Sequence, residues 1–258
     1  MRPVNLKAIR HSFEIQAPNF ESRTLNFAKE GYLDHTLSLI APAKDDMILD
    51  VAAGTCVCGR SYAAHVSSVV CLDATPSMLQ IGKQEAEKAH LNNMVFVKGY
   101  AEELPFLDES FSIVSSRLAF HHFTDADAVF SEMVRVLKPG GKLVMIDMEA
   151  AVEELRDTED EIETLRDPSH VKNLSKNEML TLFASHDIKV ELCENTRIKQ
   201  KLDNWLALTK TPRSVQQEIR ERMRAELSGA EKTGFSPYVE DGELCFDQNW
   251  LLLIGRRG

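Results

Sequence analysis

The chain has 258 residues, 43% of them hydrophobic, enough for one large α/β domain with a substantial core. Forty acidic against thirty basic side chains give a net charge of −10, which argues against a general polyanion binder, because phosphate contacts need lysine and arginine clusters. No stretch approaches the ~18 apolar residues of a membrane span, and Met1–Arg10 has no apolar leader, so a cytoplasmic protein with no membrane span and no nucleic-acid partner is expected.

Residues 1–42 read as one or two helices. Phe13, Phe20, Leu25, Phe27, Tyr32, Leu33, Leu37 and Ile40 supply an apolar face, and Ala41-Pro42 closes the last turn. Met47 to Val51 is a short apolar run interrupted by Asp50, as a buried parallel strand requires. Small residues follow at once, Ala52-Ala53-Gly54-Thr55, and let the backbone approach a ligand before a helix opens near Gly59. Ser68 to Asp73 repeats the pattern. Thr75-Pro76 starts a helix to about His90, and strands are predicted over Met94–Val97, Phe111–Ser116 and Lys142–Asp147. Thr124 and Asp127 suggest a capping box, followed by a helical stripe through Val129, Phe130, Met133 and Val134 to Leu137. From Glu149 to Asp167 acids dominate and a surface helix is expected. A capped helix over Ser175–His186 precedes a strand over Ile188–Cys193, then helices within 199–243, including Pro212–Ser228, then a strand from Asn249 to Arg256.

Strand, small-residue turn and helix hold nucleotide-like cofactors at the carboxyl edge of a doubly wound sheet. Asp73, about 20 residues beyond the turn, is placed to accept the hydroxyls of a ribose; otherwise it is a strand-end acid. Asp50 would repel a pyrophosphate and attract a cationic amino-acid tail; otherwise it contacts loop amides or caps the next helix. Cys56 and Cys58 fall short of a metal-ligand set, so no metal is expected, and the five cysteines lack a disulfide-framework spacing.

Four blocks together resemble the class I S-adenosylmethionine-dependent methyltransferases, in particular the group of the ubiquinone/menaquinone C-methyltransferases. They are Asp50–Gly59, Asp73-Ala74-Thr75-Pro76-Ser77-Met78, Gly99-Tyr100-Ala101-Glu102-Glu103-Leu104-Pro105-Phe106 and Leu137-Lys138-Pro139-Gly140-Gly141. Weaker similarity continues in Arg166–His170 and from Cys245 to Arg257. The family usually carries glycine where this chain has Ala52 and Cys56, and commonly an acid at Tyr100.

The resemblance implies a doubly wound, mostly parallel seven-stranded Rossmann-like sheet with an antiparallel last strand. It divides the chain into a helical cap, 1–42, and a methyltransferase domain, 43–258, with inserted helices at 149–186 and 199–243. The cofactor it implies is S-adenosyl-L-methionine, held by Asp50, Ala52, Ala53, Gly54, Thr55, Asp73, Ala74, Met78, Tyr100, Ala101, Glu102 and Arg117. The acceptor is expected to be a small molecule, attacking the methyl group in line. His122, with His121 and then His170 behind it, is the candidate base; histidines there otherwise hydrogen-bond loop backbone. The aromatics Phe13, Phe20, Tyr32, Phe120 and Phe123 are expected mainly in the core, with one free to cover the sulfonium. Two rivals are a nicotinamide oxidoreductase and a non-catalytic cofactor-binding protein. The sequence names neither the acceptor nor an oligomeric state.

Overall fold

Apolar runs buried on both faces need helices on both sides, and the chain alternates strand and helix accordingly. The structure is a computed structural model that describes residues 5–21, 30–150 and 152–258. Helices α1 (Leu6–Gln16) and α2 (Glu30–Ile40) precede β1 (Met47–Val51), α3 (Val57–Ala63), β2 (Ser68–Asp73), α4 (Pro76–Lys88) and β3 (Met94–Lys98). The chain then forms β4 (Phe111–Arg117), α5 (Ala126–Val136), β5 (Leu137–Met148), α6 (Arg156–Arg166), α7 (Lys176–Ser185) and β6 (Ile188–Lys201). Helices α8 (Leu202–Leu208) and α9 (Arg213–Leu227), the short β7 (Tyr238–Glu240) and β8 (Glu243–Arg257) complete it.

The sheet runs in the order β3-β2-β1-β4-β5-β8-β6, with β7 pairing on β8. Strands β1 to β5 are parallel, and β8 lies antiparallel between β5 and β6. This is the expected doubly wound architecture, with β7 as a small addition. The chain reverses direction across the sheet between β1 and β4, so the loops following them diverge and leave a crevice at the carboxyl edge.

Alternation along the strands sends Ile48, Val69, Ile113 and Val144 to one face, under α2 and α3. Leu49, Leu72, Val114 and Leu143 go to the other, under α5 and α7. A third cluster lies off the sheet, where Ile162 of α6, Trp205 of α8, Ile219 and Met223 of α9 and Phe246 of β8 meet. Arg166 lies over the Trp205 ring at 4.3 Å and donates from Nε to the Trp205 carbonyl at 3.1 Å.

Several expected boundaries shift for physical reasons. Asp125, not Thr124, caps α5 by accepting from the Ala128 amide, while Asp127 pairs with His186. Strands β6 and β8 are longer than their apolar cores because they pair from Ile188↔Arg257 to Lys201↔Cys245. Helix α6 is not a surface helix: Ile162, Glu163 and Arg166 are buried. Tyr32 and Phe120 are core, whereas Phe13, Phe20 and Phe123 line the cavity described below. Leu25 and Phe27 lie outside the described residues.

Trp205→Ala should lower unfolding free energy by about 3–5 kcal/mol, the range for removing a fully buried large aromatic. Urea unfolding followed by circular dichroism measures it, and a loss under 1 kcal/mol would show that the third cluster does not anchor α6.

Candidate functional site

A cavity of about 1330 Å³, counting the space at its open mouth, follows the carboxyl edge across the crevice. The turns after β1, β2 and β3 form one half. The loop after β4, the end of β5 and residues 163–170 form the other, and α1 lies across both.

In the first half, β1 ends in the expected small-residue turn. Ala52 (φ 54°), Gly54 (φ 55°) and Cys56 (φ 60°) all adopt the left-handed conformation that L-residues disfavour. That is a physical reason for the family's glycines at the first and last of these positions. The thiol of Cys56 is fully buried, with Sγ 3.6 Å from the Gly54 carbonyl oxygen.

Asp73 accepts the Gly54 amide at 2.8 Å on one oxygen and the Thr75 amide at 2.7 Å on the other. Each oxygen keeps a lone pair at the cavity, a geometry that suits a vicinal diol. Burial raises its pKa against the pull of those two amides. Glu102 lines the same half, and its buried Oε1 has no donor among the described residues, so it stands open to a ligand N–H or O–H. Asp50 accepts the Gly59 amide of α3 at 3.1 Å and the Ser115 hydroxyl at 3.2 Å, so the capping role expected as an alternative is realised. Burial pushes its pKa up to about 7, opposed by Ser115, Gly59 and then Arg117.

Of the residues assigned to the cofactor, Asp50, Ala52, Ala53, Gly54, Thr55, Asp73, Ala74, Tyr100, Ala101, Glu102 and Arg117 all line the cavity. Met78 does not. It is fully buried in the first turn of α4 and forms no part of the lining. The arm covers this half: Phe20 lies over Gly54, and Arg60 joins the Thr55 carbonyl (2.5 Å) to Glu21 (2.9 and 3.0 Å).

The second half brings His121, His122 and His170 together. The ring of His121 lies 4.1 Å from that of His122 and 5.7 Å from that of His170, centroid to centroid. His121 Nδ1 is 2.6 Å from Asp147, whose carboxylate also accepts the amides of Ala119, Phe120 and Met148. Burial opposes a charge on His121, but Asp147 outweighs it and the pKa is raised. His122 Nδ1 faces the Ser169 carbonyl at 3.0 Å, and burial together with His121 pushes its pKa down to about 3.

Of the two neighbours, His121 is the more basic, and His122 is held neutral by its surroundings. His170 Nε2 pairs with Asp160 at 2.7 Å. Glu163 and Arg166 form a buried ion pair at 2.9 Å on the same wall. Asp167 is held well below the usual carboxylate range: burial opposes this, and His122, Arg166 and the hydroxyls of Ser169 and Ser12 outweigh it. Asp147, Glu163, Arg166 and Asp167 were not singled out from the sequence. The signals were there, because Asp147 ends its strand as Asp73 does and Arg166-Asp167 belong to a resembling block. Among the described residues, no three or more His, Cys, Asp or Glu side chains gather as a metal site, and no helix is long and apolar enough to cross a membrane.

The methyltransferase domain family matches residues 49–145. An uncharacterised protein of Escherichia coli K12, YafE, is 38% identical over 61% of this chain and 77% of its own length. YcgJ of Bacillus subtilis 168, described as an uncharacterised methyltransferase, is 30% identical over 67% of this chain and 68% of its own. The YcgJ crystal structure superimposes with a TM-score of 0.80 at 25% identity, covering 88% of this chain and 98% of that one. The ubiquinone/menaquinone biosynthesis C-methyltransferase UbiE of Shewanella frigidimarina is 35% identical over 47% of this chain and 50% of its own.

Two outcomes follow from the strained turn and the buried acid. Ala52→Gly should raise unfolding free energy by up to about 1 kcal/mol, the left-handed penalty less the unfolded-state entropy of glycine. A destabilised variant in a urea titration would remove the strain argument. Asp50 keeps its proton up to about pH 7 when folded but releases it near 3.8 when unfolded, so its contribution is full below pH 3.8 and is lost as pH rises through 7. Asp50→Asn should match the ligand-free wild type near pH 4 and exceed its stability at pH 8, checked by unfolding at both values.

Proposed function

The chain belongs to the class I S-adenosylmethionine-dependent methyltransferases, and from that premise we propose that it methylates a small-molecule acceptor held between the Gly54 turn and His121. Family membership replaces the nicotinamide and non-catalytic alternatives. One observation supports the choice of acceptor: among the described residues, α1 and the 163–170 segment line the second half of the cavity, which favours a molecule small enough to enter between them. In this reading residues 1–42 and the insert at 149–186 act as cover for the domain 43–258. The insert at 199–243 supports α6 through Trp205, and Leu208 adds to the wall.

Bound there, S-adenosylmethionine supplies a methyl group activated by sulfonium, which an electron-rich acceptor atom takes by in-line displacement. Asp73 would hold the ribose hydroxyls, Ala101 and Glu102 would border the adenine, and Asp50 and Arg117 would hold the amino and carboxylate groups of the methionine tail. Phe13, Phe20, Leu118 and Phe123 keep the chamber dry, which favours alignment over hydrolysis. His121, oriented by Asp147 through Nδ1, directs Nε2 towards the acceptor and removes its proton when the attacking atom carries one. Among the described residues of this wall, Arg166 is already engaged by Glu163 and Trp205, which disfavours an anionic acceptor there. A neutral molecule with an O–H or N–H group suits it best.

Calorimetry should detect S-adenosylhomocysteine but neither NAD nor NADP, and Asp73→Ala should weaken that binding by about 1.5–3 kcal/mol, as for hydrogen bonds to a charged group. Undiminished affinity would place the ribose elsewhere. A screen of small phenols, enols and amines, scored by S-adenosylhomocysteine release, then tests the acceptor class. With any acceptor found, His121→Ala should lower the rate by roughly 10²–10⁴-fold. The wild-type rate should fall as pH drops through a pKa above 6.5, since Asp147 raises that of His121. A flat profile with a normal His121→Ala rate would reject the base.

A further inference from the structure

We propose that Asp167 is a positioning residue that couples closure of the α1 arm to the orientation of His122, so that the acceptor wall is complete only when the arm is shut. The proposal rests on the reading that the acceptor lies against these histidines. Asp167 follows α6 directly and is buried, and its carboxylate collects four donors. Two come from the arm: Ser12 Oγ donates at 2.7 Å and Gln16 Nε2 at 2.9 Å. Two come from Ser169, whose amide donates at 3.0 Å and whose hydroxyl donates at 2.6 Å.

The second pair sets the state of His122. With its hydrogen given to Asp167, the Ser169 hydroxyl can only accept, and so can the Ser169 carbonyl. They lie 3.2 and 3.0 Å from His122 Nδ1, which must therefore carry the ring proton. Nε2 is left as a lone-pair acceptor, suited to receive an acceptor's O–H or N–H and to fix its direction. The arm holds the same residue from two further sides. Asn5 donates to the His122 carbonyl at 2.9 Å, and Phe13 packs edge-to-face on its ring at 5.1 Å. The arm and His122 therefore share one buried anion. When the arm lifts, Asp167 loses half its donors, and His122 loses the Asn5 bond to its carbonyl and the Phe13 contact on its ring.

The test needs no acceptor. Nitrogen-15 NMR of the histidine side chains reports the His122 tautomer, and hydrogen exchange reports opening of residues 6–16, both with and without S-adenosylhomocysteine. In Asp167→Asn, exchange across the arm should be about ten- to a hundredfold faster, the effect of losing hydrogen bonds to a charged group. The His122 nitrogen shifts should change in the same sample, because the Ser169 hydroxyl and the arm no longer hold the ring as they do in the wild type. If that variant fails to fold, the Ser12→Ala, Gln16→Ala double variant takes its place. It leaves Asp167 and Ser169 intact and should still disturb the His122 pattern. An arm that opens while the His122 pattern stays wild-type, or no change in either readout, overturns the coupling. Failure of the wild type to bind S-adenosylhomocysteine would instead overturn the cofactor reading, and the comparison between variants would still stand.

Discussion

The second half of the site depends on the carboxylate of Asp147. It stands at the end of β5 with three backbone amides and one imidazole around it. A buried carboxylate without such partners would protonate, because burial disfavours charge. With them it stays ionised, and its pKa is lowered although burial alone would raise it. The same contacts fold the chain after β4 into the tight loop that presents His121 and His122. One ion thus sets the backbone of that loop, the tautomer of His121 and its basicity.

The two halves of the cavity treat buried acids in opposite ways. Asp50 and Asp73 are held by hydrogen bonds, and burial outweighs these and raises their pKa values. Asp147 and Asp167 have a histidine or arginine close by and theirs fall. The cofactor half therefore has negative charge that develops most readily when a cation arrives. In the half that holds the histidines the acids are ionised, with His121 and Arg166 beside them.

The fold was largely legible in the sequence because parallel strands buried on both faces read as short apolar runs, and Asp50 and Asp73 mark the ends of two of them. The residues that line the first half of the cavity were legible for the same reason, since they follow those ends within a few positions. Met78 was misplaced by that logic: the same proximity to Asp73 carried it into α4, beneath the turn. The acceptor wall was much less legible. Glu149 to Asp167 is so acidic that it reads as a solvated face; the i,i+3 spacing of Glu163 and Arg166 hints at their pairing, but nothing local reveals that it is buried or that Ser12 and Gln16 reach Asp167. His121 and His122 are adjacent and chemically identical, and partners 26 and 47 residues away decide between them.

The placement of β8 has a consequence for how the chain is assembled. In many sheets the final strand adds to an edge, but here Glu243–Arg257 lies between β5 and β6 and pairs with both. During synthesis β5 and β6 emerge first and cannot pair with each other across the gap. Each exposes a row of unsatisfied amides and carbonyls until β8 arrives. Contacts between Leu143 and Gly255 span over a hundred residues, so closing the sheet carries a large entropic cost and comes late. A nascent or truncated chain lacking β8 would be split through its middle, with two open edges beside a formed cofactor crevice. The integrity of the catalytic edge thus depends on the strand farthest from it in sequence.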